Sequence, residues 1–159
     1  MTPPRRDATE QARVDAALVD IFEHRIVFNQ VLGLKIASVR PGDVRGTVAM
    51  RPELVGHAAH GRLHGGVISA VLDAMGALAL MVAMAEQHPQ DSTEQVLHRF
   101  ARLATIDLRV DFLRQGQGLH FEATAEVSRL GGRVGSTQMR LCNDAGILLA
   151  TAAAAYMLG

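Results

Sequence analysis

Apolar residues recur at helical spacing from Thr9 to about Val31. Val14, Leu18, Ile21, Phe22 and Ile26 fall on one face and predict an amphipathic helix that packs on something else. The period then changes. Residues 34–40 and 44–50 read as strands, with Pro41-Gly42-Asp43 as the hairpin turn between them. Residues 56–63, rich in Gly and His, read as a loop. After His64-Gly65-Gly66 comes VISAVLDAMGALALMVAMA, residues 67–85, in which Asp73 is the only ionisable group. That run predicts a long apolar helix, followed by a polar link at 86–93 and a short second helix ending near Leu103. Residues 105–113 alternate most clearly, with Ile106, Leu108, Val110 and Phe112 on one face and Thr105, Asp107, Arg109 and Asp111 on the other. Residues 119–128 repeat the pattern, Phe121, Ala123, Ala125 and Val127 lying opposite Glu122, Thr124 and Glu126. Turns at Gly131-Gly132 and Asn143-Asp144-Ala145-Gly146 introduce two more strands, 133–142 and 147–158.

Two strands, a long apolar helix and four more strands describe an α+β fold in which an antiparallel sheet covers the helix. The sheet's other face is left to solvent or to an interface. Neither a repeat nor a second core is visible, so residues 9–159 are expected to form one domain after a disordered tail at 1–8. The apolar run is barely long enough for a membrane span, and Asp73 within it would cost roughly 2.5–3.5 kcal/mol on insertion. A helix buried in a soluble core is the better reading.

Charge removes further classes. Lys+Arg and Asp+Glu balance at 16 each, so no strong field favours nucleic acid or an anionic membrane. Cys142 is the single cysteine, which forbids an intrachain disulfide and suits a reducing compartment. The opening MTPPRRDATEQ has polar residues where a signal peptide needs an apolar run, so a cytoplasmic location is expected.

Candidate chemistry concentrates on the long helix. Burying a carboxylate without a partner is expensive, so Asp73 needs a reason to be there. Gly65 and Gly66 at the helix start leave its first N–H groups unobstructed for a partial negative charge. Eight residues separate Gly65 from Asp73, about 12 Å along a helix axis. One carbonyl carbon cannot meet both groups of one chain. They meet only if a second copy presents its helix antiparallel, which requires at least a two-fold dimer with composite sites. The alternative, equally compatible with the spacing, is that Asp73 caps nearby backbone or binds an Arg from the sheet.

HGGVISAVLDAMG, with Asp73 nine positions after His64, resembles the central-helix motif of hot dog-fold acyl-CoA thioesterases of the phenylacetate-pathway (PaaI-like) type. TIDLRVDFLRQG resembles the strand that follows in that family, and ILLATAAAAYML its last strand. The insert at 86–102 and RLATIDLRVDFLR are most similar to a subgroup acting on medium- and long-chain acyl-CoA. The resemblance implies an antiparallel sheet wrapped around the helix, no metal or redox cofactor, and a homodimer or a dimer-of-dimers tetramer. It also implies that the Gly65 N–H holds the thioester oxyanion, that Gly66 belongs to the same substrate-binding turn, and that the partner's Asp73 acts as general base or nucleophile. His64 would orient substrate or brace the turn, and Thr105 would place the attacking water. Several relatives carry an Asn upstream of His-Gly-Gly where this chain has Val55, Gly56 and His57; Asn29 is then the candidate for the amide contact to substrate. Arg129 and Arg133, flanking Gly131-Gly132, are candidates for binding coenzyme A phosphates; a solvated hairpin tip is the plainer reading.

Other signals are weaker. His57, His60 and His64 invite a metal site, yet the glycines between them break any helix that would align them. Cys142 reads as core, and Ser69 and Ser136 lack triad partners at recognisable spacing. Met75, Met81 and Met84 read as core packing that also suits an adaptable wall for an acyl chain. Two competing readings are a hot dog dehydratase or hydratase and a non-catalytic acyl-CoA sensor. The first lacks the expected paired His and acidic signature; the second lacks a DNA-binding module in residues 1–31.

Overall fold

In the computed structural model, which describes residues 5–158, the first expected helix is broken in two. Ala8–Asp20 (α1) is regular, Ile21–Arg25 widens to a π turn, and Ile26 leaves helical geometry at φ −81°, ψ 99° before Val27–Leu32 (α2) resumes. The break is held by hydrogen bonds the periodicity does not reveal. The Ile26 N–H reaches back five residues to the Ile21 carbonyl at 3.0 Å, and the Asn29 side-chain amide donates to the Phe22 carbonyl at 3.0 Å. Leu18, Ile21 and Phe22 stay in the core while Val27, Phe28 and Val31 are turned outward.

Lys35–Arg40 (β1) and Asp43–Ala49 (β2) form the expected hairpin, with Gly42 at φ 77° making the turn. The expected loop contains a small two-stranded ribbon, Val55–His57 (β3) against Arg62–Leu63 (β4). Gly65–Gln87 is one helix (α3), followed by Thr93–Phe100 (α4) and four strands: Ala104–Phe112 (β5), His120–Leu130 (β6), Val134–Asn143 (β7) and Leu148–Met157 (β8). Six of the strands make one antiparallel sheet in the order β1-β2-β6-β7-β8-β5, so β1 and β5 are its edges.

The sheet wraps α3. Leu72, Met75, Leu78, Leu80 and Met81 are fully buried against Phe121, Met139, Leu141 and Tyr156, each such side chain contributing about 1.5–3 kcal/mol. Although α3 is long and apolar enough to cross a membrane, most of its apolar window is buried in this fold. Its C-terminus is capped by a cation: the Arg6 guanidinium donates to the carbonyls of Ala85, His88 and Asp91 at 2.7, 2.8 and 3.2 Å. The tail expected to be disordered at 1–8 is corrected from Arg6 on, where Arg6 caps α3, Asp7 caps α1 and Ala8 begins it; residues 1–4 lie outside the described residues.

The clean alternation of β5 does not survive folding. Thr105 pairs with Tyr156 and Asp107 with Ala155, so Ile106 is an extra residue in a β-bulge. The bulge reverses the facing of everything before it. Ile106 points out, 58% exposed, and Thr105 joins Leu108 and Val110 on the helix side, where the sequence pattern puts it with Asp107 on the polar face.

The α1 and α4 helices are tied by one carboxylate. Glu10 Oε1 accepts from the Thr93 N–H at 2.9 Å and the Thr93 hydroxyl at 2.8 Å, at the start of an α4 that also carries a Ser92–Gln95 capping box. The Thr93 amide, aided by its hydroxyl, holds the Glu10 carboxyl below its ordinary 4.5. A depressed carboxylate stabilises the fold above its unfolded-state value, and that contribution is lost as pH falls through the folded value. Urea unfolding followed from pH 7 downward is expected to show a steeper acid loss, beginning below about 4.5, in the wild type than in Glu10→Gln.

Candidate active site

Gly56 lets β3 lie against the start of α3; a Cβ there would stand 2.7 Å from His64 Cα and 2.9 Å from the ring carbon Cδ2. His64, so placed, is the N-cap of α3 at φ −67°, ψ 137°. Its Nδ1 accepts the Gly66 N–H at 2.8 Å and its carbonyl accepts the Val67 N–H at 3.0 Å. In a neutral ring an accepting Nδ1 leaves the proton on Nε2. The His64 ring is thereby tied to the turn it caps.

The N–H left over is that of Gly65. Among the described residues nothing accepts it, and it sits at the positive end of a 23-residue helix. The expectation that both glycines keep unobstructed N–H groups is corrected for Gly66, whose amide the cap uses. A cleft of about 270 Å³ opens beside Gly65, lined by His57, Arg62, His64, Phe112 and Arg114 among others. Phe112, at the end of β5, closes over Gly65 so tightly that a Cβ there would lie 3.3 Å from Phe112 Cε1. Sequence spacing gave no hint of Arg62 or Arg114.

Eight residues along the same helix, Asp73 is half-buried. Its Oδ1 accepts the Thr105 hydroxyl at 3.0 Å; among the described residues no hydrogen bond reaches Oδ2 and no cation pairs with the carboxylate. Neither capping backbone nor binding a sheet Arg describes it. The Asp73 main-chain carbonyl accepts the Tyr156 hydroxyl at 2.9 Å. Burial first, then the Asp73 charge, pushes that hydroxyl far up in pKa, so it stays a protonated donor. A lone Tyr in an Ala-rich strand reads as core, and Tyr156 was missed for that reason. A signal existed in Gly76, which costs about 1 kcal/mol relative to Ala inside a helix. A Cβ at Gly76 would collide with the Tyr156 hydroxyl and stand 2.8 Å from Thr137 Oγ1.

The remaining candidates lie elsewhere. Asn29 is buried, its amide spent on Phe22, and does not line the Gly65 cleft. Arg129 and Arg133 are exposed at the β6–β7 hairpin, beyond the C-terminal half of α3. The hairpin tip between them lines a cavity of about 810 Å³, which Arg102, Glu94 and the Arg99–Asp91 ion pair also line. Ser69 donates to the Gly65 carbonyl at 3.0 Å, and Cys142 is half-buried.

Known proteins share this fold and sequence pattern. The sequence model of the thioesterase superfamily matches residues 60–150, from the loop before the cap to the last strand. This chain belongs to the thioesterase superfamily. It is 34% identical over 140 residues to proteins of Salmonella typhimurium and Escherichia coli named medium/long-chain acyl-CoA thioesterase YigI, covering 88% of this chain and 90% of each relative. A crystal structure from Shewanella oneidensis, described as related to the thioesterase superfamily, superposes with a TM-score of 0.87 at 35% identity, covering 94% of this chain and 97% of that one. The fold is the hot dog, and the protein is a thioester hydrolase.

In this thioesterase Gly65 is the first helical residue, a position where Pro is tolerated, and His64 already has the extended backbone that precedes Pro. Gly65→Pro thus removes one N–H while keeping the helix. Thiol release is expected to fall by roughly 10²–10³-fold with the circular dichroism spectrum unchanged, and to fall far less in Gly65→Ala, which sets the same Cβ against Phe112 but keeps the N–H.

Proposed function

We propose that this thioesterase hydrolyses medium- or long-chain acyl-CoA to the free acid and CoA, at sites that each combine two copies of the chain. One observation carries the two-copy reading: the free Gly65 N–H and the Asp73 carboxylate lie on a single helix, about 12 Å apart. The course of β5 supports it. The strand runs beside α3 with Phe112 at Gly65 and Thr105 at Asp73, and among the described residues only β8 pairs with it. An open edge carrying exposed Ile106, Phe112 and Leu113 favours pairing with another strand. A second β5, antiparallel across a two-fold axis, sets the Thr105–Asp73 end of one copy against the Phe112–Gly65 end of the other.

In such a site the thioester carbonyl accepts the Gly65 N–H of one copy. Asp73 of the other takes a proton from water as the water oxygen attacks the carbonyl carbon, while Thr105 holds Oδ1 and leaves Oδ2 to the water. Collapse of the oxyanion breaks the C–S bond, and the proton on Asp73 passes to the departing thiolate. Medium- and long-chain preference is drawn from the named activity of the YigI relatives.

The Arg129–Arg133 hairpin and the cavity beside it suit the phosphates of CoA. Met84, which lines the cavity, lies eleven residues from Asp73 on α3, about 16 Å and comparable to the extended arm between the CoA sulfur and its diphosphate. The free Cys142 fits a cytoplasmic enzyme.

Mixing tests the composite site. Asp73→Asn and Gly65→Pro chains, each inactive alone, are dissociated, combined in equal amounts and assayed for thiol release. Random pairing is expected to regenerate about a quarter of wild-type activity, because each mixed dimer has one intact site. No recovery, with mixed dimers shown to form, assigns both groups to one chain and rejects the arrangement. For the CoA contact, Arg129→Ala/Arg133→Ala is expected to raise KM about tenfold at unchanged kcat, an effect that added salt diminishes; an unaltered KM leaves the hairpin a solvated tip.

A further inference from the structure

Two adjacent strands grip one residue of α3 at both of its ends. Thr105 and Tyr156 face each other across the β5–β8 ladder, and the bulge at Ile106 turns Thr105 to the helix side, which Tyr156 already occupies. The Thr105 hydroxyl holds the Asp73 carboxylate at 3.0 Å and the Tyr156 hydroxyl holds the Asp73 carbonyl at 2.9 Å. We propose that Tyr156 is a positioning residue for Asp73: its hydroxyl fixes the height and roll of this turn of α3 against the sheet, so that the carboxylate meets Thr105 and the attacking water. This rests on the reading of Asp73 as the general base.

The hydroxyl is not explained by core packing. Tyr156 is fully buried, and a Phe would fill the same apolar volume without a polar group to satisfy. Nor does the helix need the bond, because in a regular helix the carbonyl of residue 73 already accepts the N–H of residue 77. Room for the hydroxyl exists only because position 76 has no side chain. The glycine in mid-helix weighs against stability, and the buried phenol oxygen demands a partner that a Phe would not need. What the pair supplies is direction. Apolar contacts between α3 and the sheet allow a helix to slide or roll by fractions of an ångström, whereas a hydrogen bond is lost when its angle fails. A general base is sensitive to displacements of that size.

Tyr156→Phe keeps the ring and deletes only the hydroxyl. It is assayed for thiol release from medium-chain acyl-CoA in the wild-type and Asp73→Asn backgrounds, with single-turnover rates for slow variants and circular dichroism as the check on folding. The expected result is a kcat about tenfold lower with KM within about twofold. In the Asp73→Asn background the same substitution is expected to change the residual rate by less than about twofold, since a residue acting through Asp73 has nothing left to position. An unchanged kcat, an equal loss in both backgrounds, or a chain that unfolds overturns the role of Tyr156 and leaves it a structural hydroxyl. Asp73→Asn with undiminished turnover instead overturns the base assignment, and the role of Tyr156 falls with it.

Discussion

A helix is stiff, and its rise of about 1.5 Å per residue keeps Gly65 and Asp73 about 12 Å apart however the rest of the chain adjusts. The organisation of the molecule follows from that separation. An oxyanion donor and a carboxylate on one rod cannot serve one carbonyl, so the function proposed above needs a second rod running the other way. The fold is arranged to allow this. The sheet buries most of α3, while Ser69, Ala70, Asp73, Ala74 and Ala77 form a half-covered stripe of mostly small residues, and β5, which reaches both chemical groups, keeps one edge open.

Each end of this arrangement is set by a different physical device. At the start of α3, four N–H groups lack partners within the helix, and the chain consumes them selectively. The His64 ring takes one and the His64 carbonyl others, until the N–H of Gly65 stands alone at the mouth of the cleft. Gly56 matters because only an absent side chain lets the preceding strand press His64 into place. At Asp73 the device is the sheet. A single inserted residue, Ile106, rotates Thr105 from solvent to carboxylate, and Tyr156 on the next strand reaches the same turn.

The two cavities lie at opposite ends of α3. The larger lies between α4, the C-terminal end of α3 and the β6–β7 hairpin, remote from the Gly65 N–H of the same chain; the smaller is the one beside Gly65. In the function proposed above, the reaction is placed not by cavity size but by the unpartnered N–H and the carboxylate with a free oxygen.

Much of this protein was determined by sequence alone, because period and turn chemistry are local. The order of the sheet strands and of α3 and α4, the three hairpin turns, the apolar length of α3 and the interval from His64 to Asp73 all follow from side chains a few residues apart. The family is legible for the same reason, since its central motif, residues 64–76, is one contiguous stretch at the start of α3. What only the tertiary structure decided depends on residues distant in sequence. The break of the first helix comes from Asn29 reaching Phe22, the loss of Gly66 as a free donor from the conformation of the His64 cap, and the facing of Thr105 from register against β8. A bulge leaves no mark on an alternating pattern, because one extra residue changes which partner each neighbour meets and not what any residue is. Tyr156 and Gly76, eighty residues apart in the chain, acquire meaning only where the sheet closes over α3 and the hydroxyl of one occupies the space the other leaves empty.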